Sequence, residues 1–279
     1  AGGQVESKAE YRYQEVDLDA TSVATSGRGI NALYRMSSVR RRGSVLLESD
    51  ALSGHQAPLD QTFYPKADTP DQRGPSTGER NLRFAQEALP LAKTAATAAI
   101  VDAGVDASQI THLIIVTCTG FYSPGLDIQL IGQLGLSHET QRVQVGFMGC
   151  HGAINAMRVA RGLVAADPDS QVLLVCVELC TLHYQYGWET DRVVSNAIFA
   201  DGAAAMIISS GGEAAIEFPQ ITATGSKLIA DSEDAMSWKI GDYGFEMTLS
   251  AEVPGIIEAQ LHPFLYQWLA RYDMKLSDI

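Results

Sequence analysis

The chain has 279 residues, of which 46% are hydrophobic and 19% charged, and this composition suits a globular protein of one large domain or two closely associated ones. The formal net charge of −13 argues against a nucleic-acid-binding protein, which needs a basic surface. No stretch approaches twenty uninterrupted apolar residues, so we expect no membrane span.

Residues 51–104 are predicted to form a long loop followed by a long helix. Residues 51–80 are rich in proline, glycine and aspartate, which is typical of a surface loop. A helix is expected to begin near Ser76 and Thr77, with Glu79 in its first turn, and to end at Gly104. Pro90 is expected either to kink this helix or to mark its true start.

Four short apolar runs follow, and helical segments lie between them. The runs are LIIVT (113–117), VQVGF (143–147), VLLVCV (172–177) and AAAMIIS (203–209). Because they do not alternate with polar residues, we expect both faces of each strand to be buried, as in a parallel sheet covered by helices. Helices are expected over 125–136 and after Cys150, the second with Ala153, Met157, Ala160 and Val164 on one stripe. Strands that alternate with helices predict an α/β fold.

The pattern restarts after Gly211. Residues 215–229 are expected to form one or two strands, and residues 231–250 a loop or hairpin with several aromatic residues. A helix is expected from about Val253 to Tyr272. The last residues, MKLSDI, resemble the approach to a further strand.

The four cysteines, Cys118, Cys150, Cys176 and Cys180, form no CxxC pair. We therefore expect neither a disulfide framework nor a metal site, and a reduced, cytoplasmic environment. The N-terminal residues show no basic patch followed by an apolar run, so no secretory signal is expected in them.

Cys150 stands where an apolar run gives way to a helix of small residues, in VGFMGCHGAINAM. A thiol acts as a nucleophile only as the thiolate, and the start of a helix lowers its pKa through free N–H groups and the helix dipole. Gly149 and Gly152 permit a sharp turn. A small residue that merely fits a tight corner would leave the same pattern. His151 is not the expected base, because adjacent side chains at a corner rarely meet in hydrogen-bonding geometry.

Five segments of the sequence, one of which contains this corner, help to decide whether Cys150 is a nucleophile or only a small structural residue. They are ITHLIIVTCTGFYSPGLDIQLIGQLGL, VGFMGCHGA, VLLVCVELC, NAIFADGAAAMI and VPGIIEAQL, in this order. From about Tyr34 to Ile279 the chain resembles the chalcone and stilbene synthases, the type III polyketide synthases of the thiolase-like superfamily, and their bacterial branch above all. The resemblance implies an α/β, thiolase-like αβαβα layered fold made of two similar halves, and a homodimer when full length. Residues 1–210 would form the N-terminal half, complete or nearly so, and residues 211–279 the beginning of a truncated C-terminal half.

The resemblance also implies roles for individual residues. Cys150 falls on the cysteine that accepts an acyl group from a coenzyme A thioester. The acyl-CoA starter and malonyl-CoA are substrates, so no cofactor is implied. Ser123 falls where a residue reaches the partner's cavity across the dimer interface. Arg40, Arg41 and Arg42 match a basic stretch that meets the phosphates of coenzyme A, although a solvated basic turn is the alternative. The implied cavity-lining residues are Cys118, Cys180, His183, Phe199, Trp238 and Met247.

Several of these positions have a plainer interpretation as well. Phe199 could belong to the core, and Trp238 could lie on the surface of a hairpin. The imidazole of His183 could be a hydrogen-bonded structural group. Cys118 could be a small residue that simply ends a strand.

The implied reaction loads an acyl group onto Cys150 and extends it by decarboxylative Claisen condensation with malonyl-CoA, giving a polyketide. In the family a histidine in an HPGG-like motif and a later asparagine stabilise the oxyanions, and neither motif occurs here. We therefore expect a truncated chain that is inactive by itself. The alternatives are a ketoacyl synthase III-like condensing enzyme and a non-catalytic remnant or partner with a thiolase fold.

Overall fold

A computed structural model of the protein describes the backbone of residues 32–40 and, with side chains, residues 63–65, 67–69, 71–210 and 220–278. The helices are α1 (Thr77–Ala103), α2 (Leu126–Leu134), α3 (Gly152–Ala166), α4 (Thr190–Ile198) and α5 (Val253–Leu269). The strands are β1 (Ala32–Arg40), β2 (His112–Thr117), β3 (Gln141–Gly146), β4 (Gln171–Leu179), β5 (Asp201–Ser210), β6 (Gln220–Ile221), β7 (Met236–Gly241) and β8 (Gly244–Leu249).

Six of these strands form one mixed sheet in the order β3-β2-β4-β5-β1-β6. Strand β2 is parallel to both β3 and β4, whereas β5 is antiparallel to β4 and to β1. The expectation of a wholly parallel sheet is therefore wrong for β5. An apolar run buried on both faces has the same composition in either direction, because strand direction is set by the connections and not by the run itself.

Helices cover both faces of the sheet and bury two separate apolar clusters. On one face, α1 and α2 pack on Leu113, Val175 and Ile207. On the other face, α3 packs on Ile114, Leu174 and Ile208. Because successive residues of a strand point to opposite faces, each central strand contributes to both clusters. The result is a three-layer α/β arrangement.

Strand β3 departs from the expectation of burial on both faces. None of its residues is buried, and the strand forms the edge of the sheet beside β2. An edge strand has a neighbour on one side only, so its side chains remain partly accessible. The apolar run VQVGF gave no sign of this, since position in a sheet depends on strand order.

The long helix α1 begins and ends where the sequence predicts. Ser76 and Glu79 form a capping box, in which each side chain accepts a hydrogen bond from the other residue's backbone N–H, and Gly104 ends the helix in the left-handed conformation. The helix continues through Pro90, so a start at Pro90 is excluded. A row of fully buried alanines, including Ala88 and Ala92, holds the helix on the sheet on both sides of the proline. Packing of this face offsets the backbone hydrogen bond that proline cannot donate.

The predicted stripe of α3 is confirmed in part. Ala160 and Val164 are fully buried, but Ala153 and Met157 are only half-buried, and Gly152 and Ala156 complete the buried face. The helix is therefore rotated toward its smaller residues, which allow it to approach β2 closely.

The C-terminal part contains the hairpin that the sequence allows over 231–250. Strands β7 and β8 pair through a two-residue turn, with Trp238 opposite Met247. Of the one or two strands expected over 215–229, only β6 is present within the described residues 220–229. Helix α5 and the short 3-10 helix Ala270–Tyr272 together match the predicted helix, and residues Leu276–Asp278 form another 3-10 turn.

None of the described helices combines the length and hydropathy needed to cross a lipid bilayer.

Candidate active site

Cys150 lies in a tight connection between β3 and α3. Residues Gly149–His151 form a single 3-10 turn, and α3 starts at Gly152. Gly149 has a φ of +67°, a conformation in which a side chain would be strained. The Cys150 thiol is exposed and free, and it stands at the beginning of a 15-residue helix. The sequence prediction of a cysteine at a strand-to-helix corner is confirmed.

The corner depends on a close approach between α3 and β2. A Cβ atom at Gly152 would lie 2.8 Å from Val116 Cγ1, whereas a Cβ at Gly162 in the same helix would meet nothing within 4 Å. We expect Gly152→Ala to lower the free energy of unfolding by about 1–3 kcal/mol through overpacking. Gly162→Ala, the matched control, should raise it by roughly 0.5–1 kcal/mol. Urea unfolding of both variants tests this, and equal stabilisation by both would show that α3 can retreat from β2 without cost.

Burial distinguishes the other three cysteines from Cys150. It raises the pKa of Cys118, and it raises the pKa of Cys176 and of Cys180 to about 12. These thiols therefore remain protonated at neutral pH, and a protonated thiol is a poor nucleophile. The charge of Cys150 contributes further to the raised pKa of Cys180, so these two thiols are electrostatic neighbours.

The segment Thr117, Cys118 and Thr119, called the 117–119 turn below, starts at the last residue of β2 and connects the corner to the rest of the site. Cys118 Sγ accepts a hydrogen bond from the backbone N–H of Gly149 at 3.3 Å, directly before Cys150. The indole N–H of Trp238 donates to the Cys118 carbonyl at 2.7 Å. The turn therefore joins the nucleophile's loop to the β7–β8 hairpin, and Trp238 points inward, not to the hairpin surface.

A buried carboxylate supports the 117–119 turn from β4. Glu178 accepts hydrogen bonds from the Cys118 backbone N–H at 2.9 and 3.0 Å and from the Thr119 hydroxyl at 2.6 Å. Burial raises the pKa of Glu178 to about 7, against the opposing effect of these hydrogen bonds. The carboxyl group therefore holds its proton to a higher pH than an exposed glutamate does.

His183 is enclosed behind the turn, and both of its ring nitrogens have partners. Nε2 lies 2.6 Å from the Thr119 carbonyl, and Nδ1 accepts the backbone N–H of Phe245 at 2.9 Å. Since Nδ1 accepts, the proton of the neutral ring is on Nε2, which donates to Thr119. Burial lowers the pKa of His183 to about 4, so the ring is neutral at pH 7. This geometry agrees with the structural interpretation of His183 and leaves neither nitrogen available to a thiol.

The hairpin turns an apolar face toward this assembly. Trp238, Phe245 and Met247 lie on that face, because the paired residues Trp238 and Met247 and the pair Ile240 and Phe245 are two positions apart. Phe245 is fully buried and stacks on His183 with ring centroids 4.1 Å apart. The opposite face carries polar residues such as Ser237 and Thr248, which share a hydrogen bond. The hairpin therefore forms one wall beside the Cys150 corner.

Exposed aromatic residues continue this wall toward the surface. The rings of Phe121 and Phe147 both contact Phe245, at centroid distances of 6.2 and 5.5 Å. Phe147, three residues before Cys150, has a φ of +53°, which is rare for a residue with a side chain. Both rings are more than two-fifths exposed, so apolar surface borders the nucleophile.

The remaining predicted site residues lie farther out or outside the described side chains. Cys180 is half-buried and begins the short helix that ends at His183. Phe199 is half-buried at the end of α4, which packs against β8. Ser123 is exposed, before a cis peptide bond to Pro124. Of the basic stretch, only the backbone of Arg40 is described, and Arg41 and Arg42 lie outside the described residues. The roles assigned to these residues stay predictions.

The described residues hold no group of three or more histidine, cysteine or acidic side chains arranged to bind a metal.

Two residues that shape the site were missed by the sequence analysis: Glu178 and Phe245. Glu178 was detectable in principle, because it is the one charged residue in the strand QVLLVCVEL. A carboxylate in a buried strand needs hydrogen-bond donors or a proton. Phe245 carried no comparable signal, since a phenylalanine in a hairpin is ordinary.

Comparison with known proteins gives a family match over the part of the chain that contains Cys150. Residues 64–212, more than half of the chain, match the N-terminal domain of the chalcone and stilbene synthases. The alpha-pyrone synthesis polyketide synthase-like Pks18 of Mycobacterium tuberculosis is 32% identical over 212 residues, which are 75% of this chain and 54% of that protein. The 1,3,6,8-tetrahydroxynaphthalene synthase of Streptomyces peucetius is 31% identical over 204 residues, 72% of this chain and 54% of the synthase.

A solved structure of a protein with similar sequence has a similar fold. The crystal structure of PKS-I from the brown alga Ectocarpus siliculosus superposes with a TM-score of 0.73 at 32% identity, covering 83% of this chain and 60% of that one. The chain spans about half the length of the curated relatives it matches. The fold is thiolase-like α/β, and the chain belongs to the family of chalcone and stilbene synthases, the type III polyketide synthases.

Proposed function

We propose that the protein is a condensing enzyme that builds a polyketide on Cys150. The Cys150 thiolate attacks the carbonyl of an acyl-CoA thioester, a new thioester forms at Sγ, and coenzyme A leaves as the thiolate, which then takes a proton from solvent. Malonyl-CoA then loses carbon dioxide, and its enolate carbon attacks the Cys150-bound carbonyl. The new carbon–carbon bond releases the Cys150 thiolate, and the chain, now longer by two carbons, remains on coenzyme A.

The observation that carries this proposal is the exposed thiol at the start of α3, in a chain that belongs to a family of polyketide synthases. The pKa values of the other three thiols are raised by burial and these thiols are protonated at neutral pH, so Cys150 is the cysteine suited to nucleophilic attack. The exposed rings of Phe121 and Phe147, which pack on Phe245 of the hairpin, offer the apolar surface that a growing acyl chain needs.

The family resemblance implies that a histidine and an asparagine complete such a site, and no position of the 279 residues matches them. Within the described part of the chain, the imidazole nearest the 117–119 turn, His183, is already engaged at both nitrogens. We therefore propose that turnover requires sequence that carries those two residues. Oxyanion donors of this kind are commonly worth about 3–4 kcal/mol of transition-state stabilisation, so their lack would slow condensation by roughly 100- to 1,000-fold.

The direct test is intact-mass spectrometry after incubation with an acyl-CoA. It should be made on the 279-residue protein and, if its gene encodes further residues, on the longer product as well. We expect acylation at one site wherever a protein is loaded, and Cys150→Ala to gain no acyl group. Cys176→Ala is the matched control, because it removes a half-buried thiol on β4 whose pKa is raised and should leave acylation unchanged. An acyl adduct of full yield on Cys150→Ala would overturn the assignment of the nucleophile.

The same reactions with malonyl-CoA report the product. The indole of Trp238 is held against the Cys118 carbonyl. We expect it to narrow the acyl cavity there, and we propose a compact polyketide such as a pyrone, a resorcinol or a naphthalene. The two relatives named for alpha-pyrone synthesis and for a tetrahydroxynaphthalene support this choice. Preferred formation of a chalcone from an aromatic starter would contradict it.

A further inference from the structure

Arg80, in the first turn of α1, is an arginine without any solvent exposure. Within the described residues it forms no salt bridge, and its guanidinium donates to neutral oxygens instead. Nη1 donates to the carbonyls of Leu182 at 3.0 Å and Tyr184 at 2.8 Å, and to the hydroxyl of Tyr64 at 3.2 Å. Nε donates to the Pro75 carbonyl at 2.8 Å. Burial of a cation costs free energy, and the hydrogen bonds to these backbone and hydroxyl oxygens offset that cost.

The two longest-range contacts of Arg80 are on either side of His183. Leu182 and Tyr184 are its neighbours in sequence, so one nitrogen of Arg80 fixes both peptide groups that flank the imidazole. The guanidinium also lies against the hairpin, because a Cβ at Gly244 would be 2.6 Å from Arg80 Nη1. Arg80 therefore contacts both the backbone that flanks His183 and strand β8.

His183 links the backbone held by Arg80 to the 117–119 turn and to the hairpin. Its Nε2–H donates to Thr119 in the 117–119 turn, and its Nδ1 accepts the N–H of Phe245 in β8. Only the neutral ring with its proton on Nε2 makes both bonds. The positive charge of Arg80 adds to burial in lowering the pKa of His183, and so favours that neutral form.

We propose that Arg80 is a positioning residue for the cavity wall: it orients the backbone around His183, and His183 then fastens the β7–β8 hairpin to the turn beside Cys150. The description of this wall as part of an acyl-binding cavity rests on the proposed function. The positioning itself is a property of the folded chain and is measured without substrate.

Hydrogen exchange in the 279-residue protein tests the proposal. In Arg80→Lys, which keeps the charge but loses the planar fork of donors, we expect exchange of the Phe245 amide and the Trp238 indole N–H to accelerate at least about tenfold. Amides of β4 and β5, such as Val175 and Ile207, should change by less than about threefold. Arg83→Met is the matched control, since Arg83 lies one turn along α1 in a partly exposed ion pair with Glu87, away from His183, and the substitution should leave all four probes unchanged.

A purely structural role would accelerate exchange at β4 and β5 as much as at the hairpin, and that result would overturn the proposal. A second measurement needs no variant and so does not depend on the folding of Arg80→Lys. The ¹⁵N shifts of His183 in the unaltered protein at pH 7 should report a neutral ring protonated at Nε2, and a charged ring or the Nδ1–H form would also overturn it. Failure of acyl loading on Cys150 would contradict the proposed function while leaving these two readouts intact.

Discussion

The free energy of unfolding of the protein, measured relative to that of Glu178→Gln, is expected to fall as the pH rises from about 4.5 to about 7. Burial raises the pKa of Glu178 from 4.5 to about 7, so the folded protein binds a proton that the unfolded chain has released. Stability therefore decreases with rising pH across this window. The full effect, reached when the carboxyl group is ionised in both states, is roughly 3 kcal/mol.

Urea unfolding at pH values between 4 and 8 measures this difference. Glutamine keeps the size of the side chain and an oxygen for the Cys118 N–H, but it cannot ionise. Glu139→Gln, a substitution at an exposed turn, is the control and should change the free energy by less than about 0.5 kcal/mol at pH 7. A difference between the protein and Glu178→Gln that stays constant over the window would contradict the raised pKa.

The contrast between Cys150 and Glu178 shows what the sequence could predict and what it could not. Cys150 was identifiable because its surroundings are local: a strand, two glycines and a helix follow one another in the chain. The partners of Glu178 come from β2, about 60 positions earlier, and their position depends on the strand order. The same limit explains the antiparallel direction of β5, which an apolar run does not encode.

The boundaries of α1 were predictable for the same local reason. Ser76, Glu79 and Gly104 act through hydrogen bonds within three or four residues, so their effect does not depend on the rest of the fold. Whether Trp238 points inward was not predictable, because both faces of a hairpin have the same local geometry. The indole N–H donates a hydrogen bond to the carbonyl of Cys118, directly after β2, and this bond fixes the direction of the side chain.

His183 is expected to give a pH dependence of the opposite sign. Burial lowers the pKa of His183 from 6.5 to about 4, so the unfolded chain takes up a proton that the folded protein excludes. The stability contributed by the neutral ring is present above pH 6.5 and is lost as the pH falls toward 4. The loss is roughly 3 kcal/mol, because each pH unit between the two pKa values is worth about 1.4 kcal/mol.

His183→Gln removes this titration. Relative to that variant, the free energy of unfolding should rise from pH 4 to pH 6.5 and then level off. His138→Gln, at an exposed turn residue, is the control and should differ by less than about 0.5 kcal/mol at pH 7. A protein-to-variant difference that falls over this range would mean that His183 is charged in the folded state.

Glu178 and His183 act through the same turn, since Glu178 binds the hydroxyl of Thr119 and His183 binds its carbonyl. Between pH 4.5 and 6.5 their contributions to the slope of stability against pH have opposite signs and similar size. The two single variants should therefore tilt the stability profile in opposite directions, and the double variant should restore a slope close to that of the unaltered protein. Two single variants that tilt the profile in the same direction would show that one of the two groups has the other protonation state in the folded protein.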